Sequence, residues 1–500
     1  MSSDCPIPKT RSKDGSATSS ADVLLRKPQG GAIFGMSVKS IKTGKVKAKR
    51  TVTVLKVNNI KSKAPKAPLE QPSVPLLNNS HSISSLELDE AASPGFKQTK
   101  EALIKFINIE CIPAEKIYRE QQKSLSQQGI NAIPQIVKDL QRKARKYRVW
   151  NLYLSEEFIG ATRFSQYEYC QLFEVLSRSF LGTMATNCDI ANTATMYMLA
   201  KHFPPTVKDK VLLPLIRGAI YTGVALSEPN VSSSDYTNLK TVIRRDGGSW
   251  VVNGQKSWVT NAGHPDCKFV AVFGRRCESD RGGALAFVPL DAPGVKFIGS
   301  HSTFGYDDAP EGFYDIQFDN VRVPLDMAIS GKNTWAKMQG SLIPGRLHQC
   351  IRAIGMAERA LDLLIARAAQ RKTFGKPLLS QGTILNYIAE SRADINLSRM
   401  LTYKAAKSFD TFGPFASTMD TSIAKMVVPT ATGRVIDKAI QIFGAAGVGN
   451  EQPLASMWSK VRCLRITEGP DEVHKLQVAR LEIKRFLSEQ SCVLPTKPKL

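Results

Sequence analysis

The stretch W-V-V-N-G-Q-K-S-W-V-T, Trp250 to Thr260, decides the fold class of this chain. β-Branched and aromatic residues dominate it, so it reads as strand, and Asn253-Gly254 reads as a tight hairpin turn within it. Four further runs carry the same character: Lys268 to Phe273, Gly283 to Pro289, Val295 to Ile298 and Tyr314 to Val323. On both flanks the period becomes helical. Upstream, Ala102, Leu103, Phe106 and Ile107 repeat at the spacing of one apolar face, and Pro204-Pro205 marks a helix boundary. Downstream, Ile351, Ile354, Leu361, Leu364, Ile365 and Ala368 define one face of a long helix. Two more helices are expected from Ile384 to Phe409 and from Thr421 to Phe443. Helices, then strands, then helices is the order of an α+β protein, not of alternating βαβ units.

Composition narrows the function classes. The chain has 500 residues and an ordinary apolar fraction of 42%. No uninterrupted apolar run reaches the ~18 residues of a membrane span; Leu212 to Leu226 comes nearest and Arg217 breaks it. The nine cysteines form no C-x-x-C pair and the six histidines no H-x-x-x-H, so neither a disulfide framework nor a metal site is expected. The net charge is +24, and residues 1–85 hold 15 Lys and Arg against four acids. That segment is rich in Ser, Lys and Pro, with only Val52 to Val57 strand-like, and is expected to be disordered. A basic balance is compatible with a solvated surface, with nucleic acid, or with the phosphates of coenzyme A.

Four short segments carry the chemistry. In L-S-E-P-N-V-S-S-S-D, Leu226 to Asp235, small hydroxyl residues follow a helix end and offer donors. In W-V-T, Trp258 and Thr260 are two apart and share a strand face. In R-K-T-F-G-K-P, Arg371 can bind a phosphate bidentately, although basic residues before Gly375 also suit a helix C-terminus. In I-T-E-G-P-D-E-V-H, Glu468, Asp471 and Glu472 cluster at a Gly-Pro break, where a carboxylate is ordinarily a cap or surface charge. The run Gly444 to Gly449 is not a dinucleotide loop. A helix precedes it and Gln452-Pro453 follows, so a turn between helices is expected.

Taken in this order and at these separations, the segments resemble the acyl-CoA dehydrogenase family over roughly Gln98 to Leu487. P-G-R-L-H-Q-C-I-R-A-I-G-M-A-E-R-A (Pro344 to Ala360), F-G-Y (Phe304 to Tyr306) and E-G-P-D-E-V-H resemble the branch of family members ten and eleven. Those relatives can carry a kinase-like domain upstream, for which this chain has no room. The resemblance implies a basic extension over 1–90, an N-terminal helical domain over 96–222, a middle β-barrel or sandwich domain over 223–330, a C-terminal four-helix bundle over 331–487 and a tail over 488–500. It also implies FAD. The strip Val224 to Ser234 would lie against the flavin, with Leu226 and Ser227 facing the ring, Ser233 beside it and Ser234 near the thioester. Trp258, Val259 and Thr260 would cover the ring and bond its edge. Arg371 and Thr373, with Gln441, Gly444 and Ala445, would hold the FAD of a neighbouring subunit, so a homodimer or homotetramer is implied. Arg346 and Gly469 would contact acyl-CoA, Glu468 would be the catalytic carboxylate, and Pro470, Asp471 and Glu472 would touch flavin.

Departures are local. The common G-A-G-S-D is N-V-S-S-S-D here, E-G-T-S-E is E-G-P-D-E, and G-G-x-G is G-A-A-G. In some members the base sits two residues before the Arg346 equivalent; Pro344 stands there and cannot act. The implied reaction is removal of an α-proton from a fatty acyl-CoA by Glu468 and passage of the β-hydride to flavin N5, giving a trans-2-enoyl-CoA in β-oxidation. Electron-transfer flavoprotein or oxygen would accept the electrons. An acyl-CoA oxidase, or a basic-surface flavoprotein binding DNA or acyl-CoA without turnover, remains the alternative. Lys497-Pro498-Lys499-Leu500 approximates a peroxisomal S-K-L address with Pro for Ser, and the Ser/Lys-rich N-terminus leaves the mitochondrion as the other compartment.

Overall fold

The computed structural model describes residues 93–154, 164–277, 282–331 and 333–490, all within one compact unit, Gln71–Leu500. The expected disordered extension, the strand at Val52 to Val57 and the last ten residues lie outside the described residues.

Helices come first. They are α1 (Phe96–Phe106), α2 (Ile112–Gln127), α3 (Gln135–Lys146), α4 (Gln166–Leu176), α5 (Phe180–Thr186), α6 (Ile190–His202), α7 (Pro205–Val207) and α8 (Leu213–Arg217). Local chemistry sets their ends. Ser165 accepts from Glu168 N at 3.1 Å and Glu168 Oε2 accepts from Ser165 N at 3.0 Å, a reciprocal cap that starts α4. The break at Pro204-Pro205 falls between α6 and α7, as its proline pair requires.

One eight-stranded sheet follows: β1 (Tyr221–Ala225), β2 (Val242–Asp246), β3 (Ser249–Thr260), β4 (Cys267–Arg275), β5 (Gly283–Pro289), β6 (Val295–His301), β7 (Phe313–Pro324) and β8 (Ala328–Gly331). Its order is β6-β7-β3-β1-β4-β5-β8, with β2 beside β3 and β4. β5 is buried over six of its seven residues, as expected of a strand covered on both faces.

The hairpin expected at Asn253-Gly254 is not there. β3 runs unbroken through both residues, and the two-residue turn is Gly247-Gly248, between Asp246 and its partner Ser249. Gly247 supplies the left-handed φ of +57°. Asn253-Gly254 instead sits at a bulge against β7. Asn253 Oδ1 accepts from Asn320 N at 2.8 Å, and a Cβ on Gly254 would lie 2.7 Å from Thr241 Cα.

The second helical part contains α9 (Thr334–Gln370), α10 (Gly382–Phe412), α11 (Thr418–Phe443), α12 (Ala445–Val448), α13 (Leu454–Cys463) and α14 (Asp471–Gln490). Ile351, Ile354, Leu361, Leu364 and Ala368 are buried along α9; Ile365 was expected with them but is 37% exposed, one position off the stripe. α12 is the turn between helices expected at Gly444 to Gly449. Bidentate ion pairs lock this part to the first. Arg359 on α9 binds Glu115 on α2, and Arg399 on α10 binds Glu174 on α4. No helix among the described residues is long and apolar enough to cross a membrane.

Candidate active site

Two assemblies meet the requirements of the expected chemistry. The first is the turn between α13 and α14 that carries Glu468. Glu468 has φ +58° and Gly469 φ +98°, both left-handed. At Gly469 this demands glycine twice over, because a Cβ there would also come within 2.9 Å of His474 Nε2. The conformation is held by donors from three helices. Arg346 Nε on α9 and His474 Nε2 on α14 each lie 3.2 Å from the Glu468 carbonyl oxygen. Lys425 on α11 donates to the carbonyls of Leu464 and, at 3.5 Å, Gly469.

The Glu468 side chain turns onto α9. A Cβ on Gly345 would sit 3.3 Å from Glu468 Oε1, so the carboxylate rests on the one residue there without a side chain. Among the described residues, nothing donates a hydrogen bond to that carboxylate, and the Glu468 N–H finds no acceptor. Burial raises the Glu468 carboxyl above the ordinary glutamate range, against the pull of Arg346 and Lys425. Burial also drops His474 to about 4, leaving its ring neutral. The site therefore presents a half-buried, unbonded carboxylate and a free backbone donor side by side.

The second assembly is the platform formed by β1, β3 and the loop after β1. Val224 pairs with Thr260, and Ser257 N donates to Ser227 O at 2.8 Å, so Leu226 and Ser227 are drawn alongside β3. Behind them Lys256 Nζ donates to Leu226 O and to Glu228 Oε1, each at 2.8 Å. Both side chains are dry, at 0% and 2% exposure. Burial lowers the Lys256 amine to about 8, against the pull of Glu228. Burial opposes ionisation of Glu228 too, but Lys256 and N–H donors of Lys240 and Thr241 hold its carboxyl below the usual range. Ser233 is committed to this scaffold: its Oγ accepts from Glu228 N at 2.9 Å and donates to Val231 O. Ser234 is exposed.

Trp258 stands at a second bulge of β3 with φ +58°. It is 44% exposed, Val259 is buried and Thr260 is half-buried, so Trp258 and Thr260 do share the open face. His301 stacks on the indole at 4.3 Å and 10°, and is itself fixed by Asp315 Oδ1 at 2.7 Å. A broad aromatic surface beside uncommitted hydroxyl and backbone donors fits the flavin that the motifs imply.

The remaining expected residues are elsewhere. Arg371 caps the end of α9, and Thr373 lies just beyond it on a two-residue strand pair whose tip, Phe374, is fully exposed. Gln441, Gly444 and Ala445 are exposed at the end of α11. Among the described residues no hydrogen bond joins any of them to Trp258 or Glu468. Pro470 and Glu472 flank the turn, and Asp471 is 3% exposed and tied to Arg465 at 2.7 Å. Sequence reasoning missed Lys425, His474, His301 and the Lys256–Glu228 pair. One signal was available for Lys425, which occupies the apolar face shared by Val428, Thr432 and Val435.

Comparison with known proteins gives the class. Residues 223–321 match the acyl-CoA dehydrogenase middle domain and residues 334–482 its C-terminal domain. "Probable acyl-CoA dehydrogenase FadE2" of Mycobacterium tuberculosis is 38% identical over 357 residues, 70% of this chain and 86% of that protein. The solved structure of a Mycobacterium abscessus protein described as an acyl-CoA dehydrogenase superposes with a TM-score of 0.74 at 34% identity, covering 79% of this chain and all of that one. This chain belongs to the acyl-CoA dehydrogenase family. Within it, acyl-CoA dehydrogenase family member 10 of Mus musculus is 36% identical over 81% of this chain, and family member 11 of Rattus norvegicus 37% over 76%. The matched region is 38% and 49% of those two proteins, so the chain spans about half of their length or less.

Proposed function

We propose that this chain catalyses FAD-dependent α,β-dehydrogenation of a fatty acyl-CoA to the trans-2-enoyl-CoA, as in β-oxidation, with Glu468 as the base. The observation that carries this reading is the Glu468 carboxylate, half-buried, free of hydrogen bonds among the described residues and set on Gly345. The α-proton of an acyl thioester is weakly acidic, so its removal needs a base stronger than a solvated glutamate. Desolvation supplies that strength. Arg346 and Lys425 oppose that rise. A positioned base contributes about 10²–10⁴-fold in rate. The Glu468 N–H, uncommitted among the described residues, is suited to the thioester oxygen, where charge develops as the proton leaves. FAD, when bound, supplies the acceptor for the β-hydride. Trp258, Thr260 and the Leu226–Ser227 backbone would hold it.

A second copy would complete the site. Arg371, Thr373, Gln441, Gly444 and Ala445 offer phosphate-binding chemistry but face outward, beside an exposed Phe374. On this reading the working unit is at least a homodimer, and electron-transfer flavoprotein or oxygen takes the electrons. The test is anaerobic absorbance of the FAD-loaded protein titrated with acyl-CoAs of graded length. Bleaching of the oxidised band by one length class supports the reading. Binding of every acyl-CoA without bleaching rejects it.

A further inference from the structure

Resting on Glu468 as the base, we propose that Lys425 is its positioning residue: the buried ammonium clamps the Glu468 turn and sets a positive charge beside the base. Lysines are almost never fully buried without a carboxylate partner. Lys425 is 0% exposed and forms no ion pair within 4.0 Å among the described residues. Its hydrogen bonds go instead to two main-chain carbonyls, Leu464 and Gly469, that bracket Glu468. A cation so placed fixes the turn from beneath and offsets part of the cost of ionising Glu468.

The groups facing Glu468 can be named element by element. α9 contributes Arg346 and Cys350, α11 contributes Lys425, α14 contributes His474 with Asp471 beside it and beside Lys425, and the loop after β1 contributes Tyr236 next to Arg346. Burial lowers the Lys425 amine, while Cys350, Glu468 and Asp471 pull it back up. Burial likewise raises the Cys350 thiol to about 12 and leaves His474 neutral, so Arg346 and Lys425 are the two cations acting on the base. Arg346 holds the Glu468 carbonyl from one side and Lys425 holds its neighbours from the other. Removing the Lys425 charge must therefore make Glu468 harder to ionise. The acid limb of the proton-abstraction rate moves to higher pH, and its alkaline plateau survives because the ionised base is at least as strong.

The experiment uses the FAD-loaded chain of residues 1–500. Infrared difference spectra follow the protonated-carboxyl band against pH, and its loss in Glu468→Gln assigns the band. Lys425→Gln keeps donors for both carbonyls and discards the charge. In that variant the band should persist to higher pH than in the wild type. Flavin reduction should lose about tenfold at a fixed pH on the acid limb, with the plateau retained. An unmoved band, or a rate lowered equally at every pH, overturns the proposal. Should Lys425→Gln fail to fold, the reciprocal coupling is read in Glu468→Gln by carbon-13 resonance of lysine Cε. Lys425 should lose its proton at lower pH there than in the wild type, and an unchanged titration overturns the proposal. The infrared and resonance readings need no turnover. Flavin reduction in Glu468→Gln as fast as in the wild type would reject Glu468 as base while leaving them to judge the coupling.

Discussion

Lys256→Met should destabilise the protein by about 3–5 kcal/mol, and the reason lies in what it leaves behind. The substitution fits the apolar stem but removes the donor to Leu226 O and Glu228 Oε1, each at 2.8 Å. Glu228 is then a carboxylate at 2% exposure without its cation, and breaking such a pair from one side costs about 3–5 kcal/mol. The N–H groups of Lys240 and Thr241 still bond Glu228, which puts the expected loss in the lower half of that range. An orphaned Leu226 carbonyl adds roughly 1 kcal/mol. Because Leu226 and Ser227 line the proposed flavin platform, FAD retention should fall with stability. Urea denaturation of wild type, Lys256→Met, Glu228→Gln and the double variant measures this. The double variant should recover part of the loss, since no uncompensated charge remains, giving a coupling of at least about 2 kcal/mol. Additive losses, or a Lys256→Met protein within 1 kcal/mol of wild type on the order of measurement error, would refute the reasoning.

Three further outcomes follow from the geometry. Gly469→Ala must adopt φ +98° and place its Cβ 2.9 Å from His474 Nε2, so flavin reduction should fall at least about tenfold while acyl-CoA binding changes less, as read by stopped-flow absorbance. His301→Ala removes the ring stacked 4.3 Å from Trp258 and should weaken FAD binding by roughly threefold to tenfold, the worth of one aromatic pair, in a fluorescence titration of apoprotein. Acidification should remove the Glu228 contribution. Its folded carboxyl titrates below the ordinary range, so this stability is present above the unfolded value and is lost as pH falls through the folded one. Urea midpoints of wild type and Glu228→Gln should therefore converge at low pH.

The alternation of helix and strand periods was legible because burial writes it directly into the sequence, as in Trp250 to Thr260 and Ile351 to Ala368. The Asn253-Gly254 turn was misread because the same dipeptide serves a bulge. What distinguishes the two uses is the Asn320 cross-strand partner, 67 residues away. Glu468, Arg346, Trp258 and Thr260 could be singled out by motif, and the structure brings Arg346 to Glu468 and Thr260 to Val224. Lys425 belongs to no motif, and its place on an apolar helical face is a weak signal, because a lysine there usually extends its amine to water. Only the turn packed over α11 shows that this one goes inward. Arg371 and Gln441 make no hydrogen bond to Trp258 or Glu468 among the described residues, and the proposed second copy is what would give them a target.

The most direct test of the central claim is anaerobic flavin absorbance of Glu468→Gln, mixed with an acyl-CoA that bleaches the wild type. Glutamine keeps the shape beside Gly345 and removes the base. The account predicts that this variant binds the acyl-CoA, perturbs the flavin band and fails to bleach it, with reduction slowed at least about 10²-fold. Bleaching at near wild-type rate would contradict it.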